Sequence, residues 1–228
     1  MRNVILYDWN ISPSKATSLL QELAAEIITA GAVEDPRLIA GADMSVAPDR
    51  KHARAAVVVL SWPELEMVEL TEQEGEMEFP YIPGLLSFRE APLVIKAWEK
   101  LAASPDLLFV DGQGYAHPRR MGIASHLGFL LDVPTIGCAK SRLCGEYTEP
   151  GQYPGNSTAL YDCGELIGQV LRTREHRKPL FISVGHKIGL DNAVYWVLKC
   201  LRGYPLPEPA RLAHLASIGQ LKMPLLKS

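Results

Sequence analysis

Apolar residues in this chain change period several times, and the changes mark the elements. Leu19, Leu20, Leu23 and Ile27 recur at helical spacing. Ser12-Pro13 suits an N-cap followed by proline at the first helical position, and Gly31 is a plausible stop. Three β-rich runs follow: Leu38–Ala47, Ala53–Trp62 and about Met67–Gln73. Their short connections predict antiparallel neighbours, hence a three-stranded meander.

The second half alternates strand and helix. Pro92–Ala102 carries Leu93, Ala97 and Leu101 on one stripe and predicts a helix. The run LLFV before Asp111 reads as a strand covered on both faces, ended by Gly112 and Gly114. A helix over Arg119–Leu131, a strand over Val133–Lys140, and a loop over Cys144–Asn156 come next. Thr158–Thr173 predicts a hairpin turning at Asp162-Cys163-Gly164. A strand over Pro179–Gly185 and helices over Asp191–Leu201 and Pro209–Ile218 complete the chain. This is an α/β pattern with a mixed central sheet, a meander joined to parallel strands by crossovers. With 228 residues and no convincing linker, one domain spanning 1–228 is the expectation.

Composition excludes several classes. Hydrophobic residues make up 47% and charged residues 21%, ordinary for a soluble globular protein. The apolar run Val4–Leu6 is too short for a signal-peptide core, and no run is long enough to span a membrane, so a cytoplasmic protein is expected. The four cysteines form no CxxC and read as reduced thiols. Seven glutamates and no Lys or Arg lie between Ala55 and Phe88; removing those seven from a net charge of −3 leaves +4. Basic residues gather at Arg119, Arg120, Lys140, Arg142 and Arg172–Lys178, a candidate phosphate-binding face that could equally be solvated surface.

Three acidic positions carry the candidate chemistry. Asp43 interrupts an apolar strand, where an unpaired carboxylate is costly. Asp111 ends the LLFV strand, where ligands bind in open α/β sheets, although an Asp before Gly is also a common turn residue. If the two strands are adjacent, the two carboxylates face each other and need a cation, for which Mg²⁺ is the natural choice. Glu90 follows the stiff loop Pro80–Pro83. The sequence S-x-x-E at Ser87–Glu90 matches a capping box, but Pro92 would then fall inside the helix, so a helix starting near Pro92 with Glu90 at its mouth is preferred. In that loop Pro80 and Pro83 restrict Tyr81 and Ile82, and Gly84 permits a backbone shape other residues resist. On the last helix His214 shares its side with Ala210, Ala213 and Ser217 and is a metal partner, a proton carrier or a docking residue. Lys140 is placed to neutralise a phosphate, and His117 to touch a nucleic-acid backbone or sit in a loop. No nucleophile-elbow or Walker A motif is present.

Taken together, GADMS around Asp43, PYIPGLLSFRE, LLFVDGQGYAHPRRMGIASHLG and RLAHLAS around His214 resemble the endonuclease V family, over roughly residues 35 to 220. The resemblance implies a ribonuclease H-like fold and Mg²⁺-dependent hydrolysis, with Mn²⁺ as a substitute. It implies nicking at the second phosphodiester bond 3′ to a deaminated adenine, leaving 3′-hydroxyl and 5′-phosphate ends. Asp43, Glu90 and Asp111 are then expected to hold metal, with His214 assisting in catalysis. Tyr81, with Pro80, Ile82 and Pro83, is expected to act as a wedge. Gly84, Leu86, His117, Gly122 and Ile123 are expected to line the pocket for a flipped hypoxanthine, and Lys140 to contact phosphate. The expected partner is deoxyinosine DNA bound by a monomer, with inosine RNA a further substrate. Two other readings stay open at this point: a ribonuclease H-like junction nuclease, and a non-catalytic binder of inosine-containing strands.

Overall fold

The computed structural model describes residues 8–223; the run Val4–Leu6 lies outside them. Its centre is one eight-stranded sheet with the order β3-β2-β1-β4-β5-β8-β7-β6. The meander expected from the sequence is formed by β1 (Leu38–Val46), β2 (His52–Ser61) and β3 (Met67–Glu76), all antiparallel. Strand β4 (Leu107–Val110) pairs parallel with β1, and β5 (Thr135–Ala139) parallel with β4. Beyond them β8 (Leu180–His186), β7 (Glu165–Leu171) and β6 (Ser157–Asp162) return to antiparallel pairing, with the hairpin turning where expected.

Helices cover both faces, which is why the central strands are apolar on both sides. Against one face pack α2 (Leu86–Glu99) and α3 (Ile123–Leu131), closing a core that includes Ala40, Ala42, Val57, Leu108 and Leu127. The other face carries α4 (Leu190–Lys199) and α5 (Glu208–Ser217) over Ile39, Val58, Phe109, Ile136 and Trp196. Alternation along β1 therefore sends Ala42 towards α2 and its neighbour Asp43 towards α5. Close approach of α5 depends on Gly41: a Cβ there would meet the Pro209 carbonyl oxygen at 2.0 Å. Helix α1 (Pro13–Ala24) uses Ser12 as its cap, the side chain accepting from Lys15 N, and packs Ala16 and Leu20 against Phe79, Phe88 and Met121.

Four helix boundaries differ from the sequence expectation, each for a physical reason. Helix α1 ends at Ala24, seven residues before Gly31; past it the chain leaves the helix to pack on β8, with Ile28 N donating to His186 and the Ile28 carbonyl accepting from Lys187 N. Helix α3 begins at Ile123 instead of Arg119, because Arg120 is left-handed (φ 56°) in a turn closed by Arg120 N donating to the His117 carbonyl at 2.8 Å. Helix α4 begins at Leu190, one residue before the expected Asp191, with Gly189 as its N-cap, and ends at Lys199, two residues early; the Asn192 side chain accepts from Val33 N at 3.0 Å. The largest correction concerns α2, which starts at Leu86, so Pro92 lies inside it and Ser87 is not its cap. An interior proline costs about 3 kcal/mol. Burying Leu85 and Phe88, both at most 2% exposed, is worth roughly 3–6 kcal/mol together. The extra helical turn before Pro92 is what delivers both side chains to the core.

Candidate active site

The parallel pairing of β1 and β4 places Ala42 opposite Val110, so the next residue on each strand, Asp43 and Asp111, emerges at the same end of the sheet. The Asp111 N–H donates to the Ala42 carbonyl at 3.2 Å, which continues the ladder to this point. From α5, His214 Nδ1 lies 2.9 Å from Asp43 Oδ2, and Ser217 Oγ donates to the same oxygen at 2.9 Å. A carboxylate accepts, so Nδ1 carries the proton in this pair. One ligand atom each from Asp43, Asp111 and His214 lie within 4.8 Å of one another. Three half-buried side chains with O, O and N donors at this separation are a set that suits a divalent cation.

Glu90 approaches from the second turn of α2 and stands just outside that tight group. Its carboxyl is pushed up to about 8, first by burial and then by the charges of Asp43 and Asp111, with Arg89 opposing. Asp111 is also raised, by burial and by Asp43, while the Lys140 ammonium and His214 hold it down. Lys140 forms an ion pair with Asp111 Oδ2 and keeps its own side chain half exposed. The sequence reading gave this lysine to a phosphate; here its partner is the carboxylate. The cluster is thus short of positive charge, and Glu90 holds a proton at neutral pH that a bound cation would displace.

A cavity of about 130 Å³ is lined from α2 and the segment after β4, the same stretches that carry Glu90 and Asp111. All five residues expected around a flipped base, Gly84, Leu86, His117, Gly122 and Ile123, line it. Tyr81, Ile82 and Pro83 stand at it too, and Tyr81 is 70% exposed on its loop. Gly84 adopts φ +78°, a left-handed backbone shape of the kind that other residues resist. His117 is buried and shifted down to about 4, by desolvation and then by Arg119. Its Nδ1 accepts from Arg119 N at 3.1 Å, so the neutral ring carries its proton on Nε2, towards Gly84.

Sequence reasoning missed four contributors. Ser217 anchors Asp43 from α5. Arg89 donates to the carbonyls of Phe79 (2.9 Å) and Arg50 (3.1 Å), which ties down the base of the Tyr81 loop. Met121 and Leu143 add apolar walls to the pocket. Ser217 was visible as a small residue on the His214 face, but a hydrogen bond across 174 residues has no local signature.

Comparison with known proteins decides what this arrangement is. The family model for endonuclease V matches residues 21–215. The chain belongs to the endonuclease V family. Endonuclease V of Dehalococcoides mccartyi is 53% identical over 212 residues, covering 93% of this chain and 95% of that one. Among solved structures, endonuclease V of Bacillus subtilis superposes with a TM-score of 0.89 at 31% identity, covering 93% of each chain. Endonuclease V of Ciona intestinalis, in complex with a 24mer DNA containing an inosine followed by a ribo-adenosine, superposes at 0.80 with 28% identity, covering 90% of this chain and 95% of that one. The chain is accordingly a metal-dependent nuclease with a ribonuclease H-like fold, as the motifs implied. No helix among the described residues is long and apolar enough to cross a membrane.

Proposed function

We propose that this protein is a DNA repair endonuclease that captures a deaminated adenine and hydrolyses the second phosphodiester bond on its 3′ side. The observation that carries the proposal is that two unlike sites share their elements: helix α2 and the segment after β4 carry Glu90 and Asp111 of the carboxylate cluster and also Leu86, Ser87 and Gln113 of the small pocket closed by His117 and Gly84. Supporting it, a relative of the same fold carries inosine-containing DNA.

Asp43, Glu90 and Asp111 are the residues that would hold Mg²⁺, or Mn²⁺ in its place, with His214 as a fourth member. When bound, the ion activates water and offsets charge developing on the phosphate. His214 orients Asp43 through the 2.9 Å contact and is within reach to move a proton at the same place. Lys140 is poised between Asp111 and solvent, and a cation taking over Asp111 would free its ammonium for the phosphate.

Extruding a base costs a few kcal/mol, least for a weakly paired lesion. Tyr81 sits on a loop stiffened by Pro80, Pro83 and the Arg89 clamp, so it loses little entropy on inserting into the gap. The pocket, with room for one flat base, excludes water from the purine, and the backbone beside Gly84 and Gly122 can meet its polar edge. Hypoxanthine presents O6 where adenine has an amino group, so a donor at that edge selects the lesion.

The test is gel analysis of an end-labelled strand with a single inosine, in Mg²⁺, in EDTA, and with Asp111→Ala. One nick, one nucleotide beyond the inosine and absent from both controls, is the expected result. Binding without cutting in Mg²⁺ would make the chain a lesion binder. Cutting of branched DNA with inosine ignored would make it a junction nuclease. The same strand carrying ribo-inosine tests RNA as a further substrate.

A further inference from the structure

A groove of about 550 Å³ opens beside Lys140, the lysine paired with Asp111. It shares no lining residue with the base pocket. Lys140 and Arg142 line it from the segment after β5, and Arg177 and Lys178 from the loop before β8, with Tyr147 between the two groups in sequence.

The loop is braced from within. Arg172 is buried and donates to Glu149 Oε1 at 2.6 Å, to the Pro150 and Gly151 carbonyls at 3.3 and 3.2 Å, and to the Arg177 carbonyl. Its charge is answered by Glu149, so it acts as a strut. Arg142, Arg177 and Lys178 differ: among the described residues none has a carboxylate within 4.0 Å, and all three are exposed. Arg142 instead lies over the Tyr147 ring, 5.8 Å from its centroid. Three like charges gathered without a counter-ion repel one another until an anion enters. Cations around an aromatic ring are also the furnishing of a single-strand binding channel. The adjoining groove near His214 shares Lys140, Arg177 and Lys178 with this one and differs in its other walls, Leu180, Pro205, Leu206 and an Arg211 already neutralised by Glu208 at 2.6 Å, so Arg142 and Tyr147 are what mark the first groove.

We propose that the groove lined by Arg142, Arg177 and Lys178 holds the cut strand on the 3′ side of the scissile bond, through phosphates just downstream of the nick. This rests on the functional reading above: the lesion occupies the pocket, the cut falls 3′ of it, and the strand leaves the carboxylates past Lys140. The sequence put Arg142, Arg177 and Lys178 on a candidate phosphate-binding face without saying which part of a strand they meet, and the family motifs add no role for Arg177 or Lys178.

The test compares Arg177→Ala/Lys178→Ala with the parent on single-stranded inosine oligonucleotides whose 3′ arms end two or ten nucleotides beyond the lesion. With the long arm, KM for cutting should rise about tenfold in the double variant. The log–log salt slope of binding should fall by about 1.4, at roughly 0.7 per single-strand phosphate. With the two-nucleotide arm, parent and variant should match. The swap Arg177→Lys/Lys178→Arg should behave like the parent, and thermal midpoints should agree throughout. Equal losses on both arms, no loss on either, a loss that follows 5′ arm length, or a loss confined to duplex would each overturn the groove assignment. Repeating the binding with adenine in place of inosine separates the two readings, because phosphate contacts ignore the base. Arm-dependent binding with no inosine cutting by the parent would remove the functional reading and leave the groove standing. Inosine cutting without arm dependence would do the reverse.

Discussion

The carboxylate cluster is built on β1, β4, α2 and α5, the base pocket on α2, α3 and the loops that lead into them, and burial acts on the two with opposite sign. In the cluster, desolvation raises Glu90 to about 8, which keeps its proton at neutral pH, and also shifts Asp111 upward. In the pocket, desolvation lowers His117 to about 4, so a base is kept unprotonated. Glu90 and His117 are therefore both neutral at pH 7, yet only the cluster is unsatisfied. Asp43 and Asp111 repel and invite a cation, whereas neutral His117 already has Arg119 N and the Gly84 backbone as partners. One site is built to change charge state on binding; the other is built not to.

The sharpest way to break that comparison is to neutralise the cluster. Asp111→Asn should lower the single-turnover rate by on the order of 10³-fold, several kcal/mol of lost charge stabilisation. It should also leave the metal-free protein no less stable, since a buried like charge is gone. Rapid-quench assays and thermal unfolding check the two halves.

A smaller effect separates the sites by pH. Glu90 is raised in the folded state, so its contribution to metal-free stability is full below the unfolded value near 4.5 and is lost as pH rises through about 8. His117 is depressed, so its contribution is present above 6.5 and lost as pH falls through about 4. Each slope is at most about 1.4 kcal/mol per pH unit. Glu90→Gln should flatten the decline that runs from about pH 4.5 to 8, added Mg²⁺ should offset that decline in the parent, and His117→Asn should flatten the fall from about pH 6.5 to 4. Thermal midpoints across pH 4–9 give the answer.

Next comes the loop between the sites. Tyr81→Ala should raise KM for inosine strands about tenfold, the size of one lost stacking contact of ~1–3 kcal/mol, with metal affinity unchanged. Equal losses in both would tie the loop to the metal and erase the distinction. The smallest effect belongs to Ser87, which lines the pocket and whose buried Oγ has no hydrogen-bond partner among the described residues. Ser87→Ala should leave stability unchanged or raise it by up to ~1 kcal/mol, measured by urea unfolding.

The cluster was more legible in the sequence than the helix that completes it. Asp43 stood out because a carboxylate amid LIAGA and MSV has no cheap burial, and Asp111 because LLFV can only be a covered strand. Their meeting followed from the strand types alone. The position of Glu90 did not follow. Local rules start a helix at Pro92, but Leu85 and Phe88 are held by Phe79, Leu20 and Met121, partners scattered over a hundred residues, and that burial overrides the proline. The acidic run from Glu64 to Glu78 was unexplained. It proves to be mostly edge strand β3, where Glu74 pairs with Arg54 and Glu69 accepts from the Ala102 and Ala103 N–H groups past the end of α2. Charges along a sheet edge also deter strand addition by other chains. Such pairings depend on which strand lies next door, which a linear pattern does not carry.

Calorimetric titration of Mg²⁺ into the protein at pH 7, in two buffers of different ionisation enthalpy, tests the central claim most directly. If the buried acids of the cluster hold protons that the ion displaces, the heats will differ between buffers by close to one proton per ion, the release will vanish above about pH 9, and Glu90→Gln will abolish most of it. Heats identical in both buffers, with affinity independent of pH, would show that the carboxylates are already ionised and that the cation is not what relieves them.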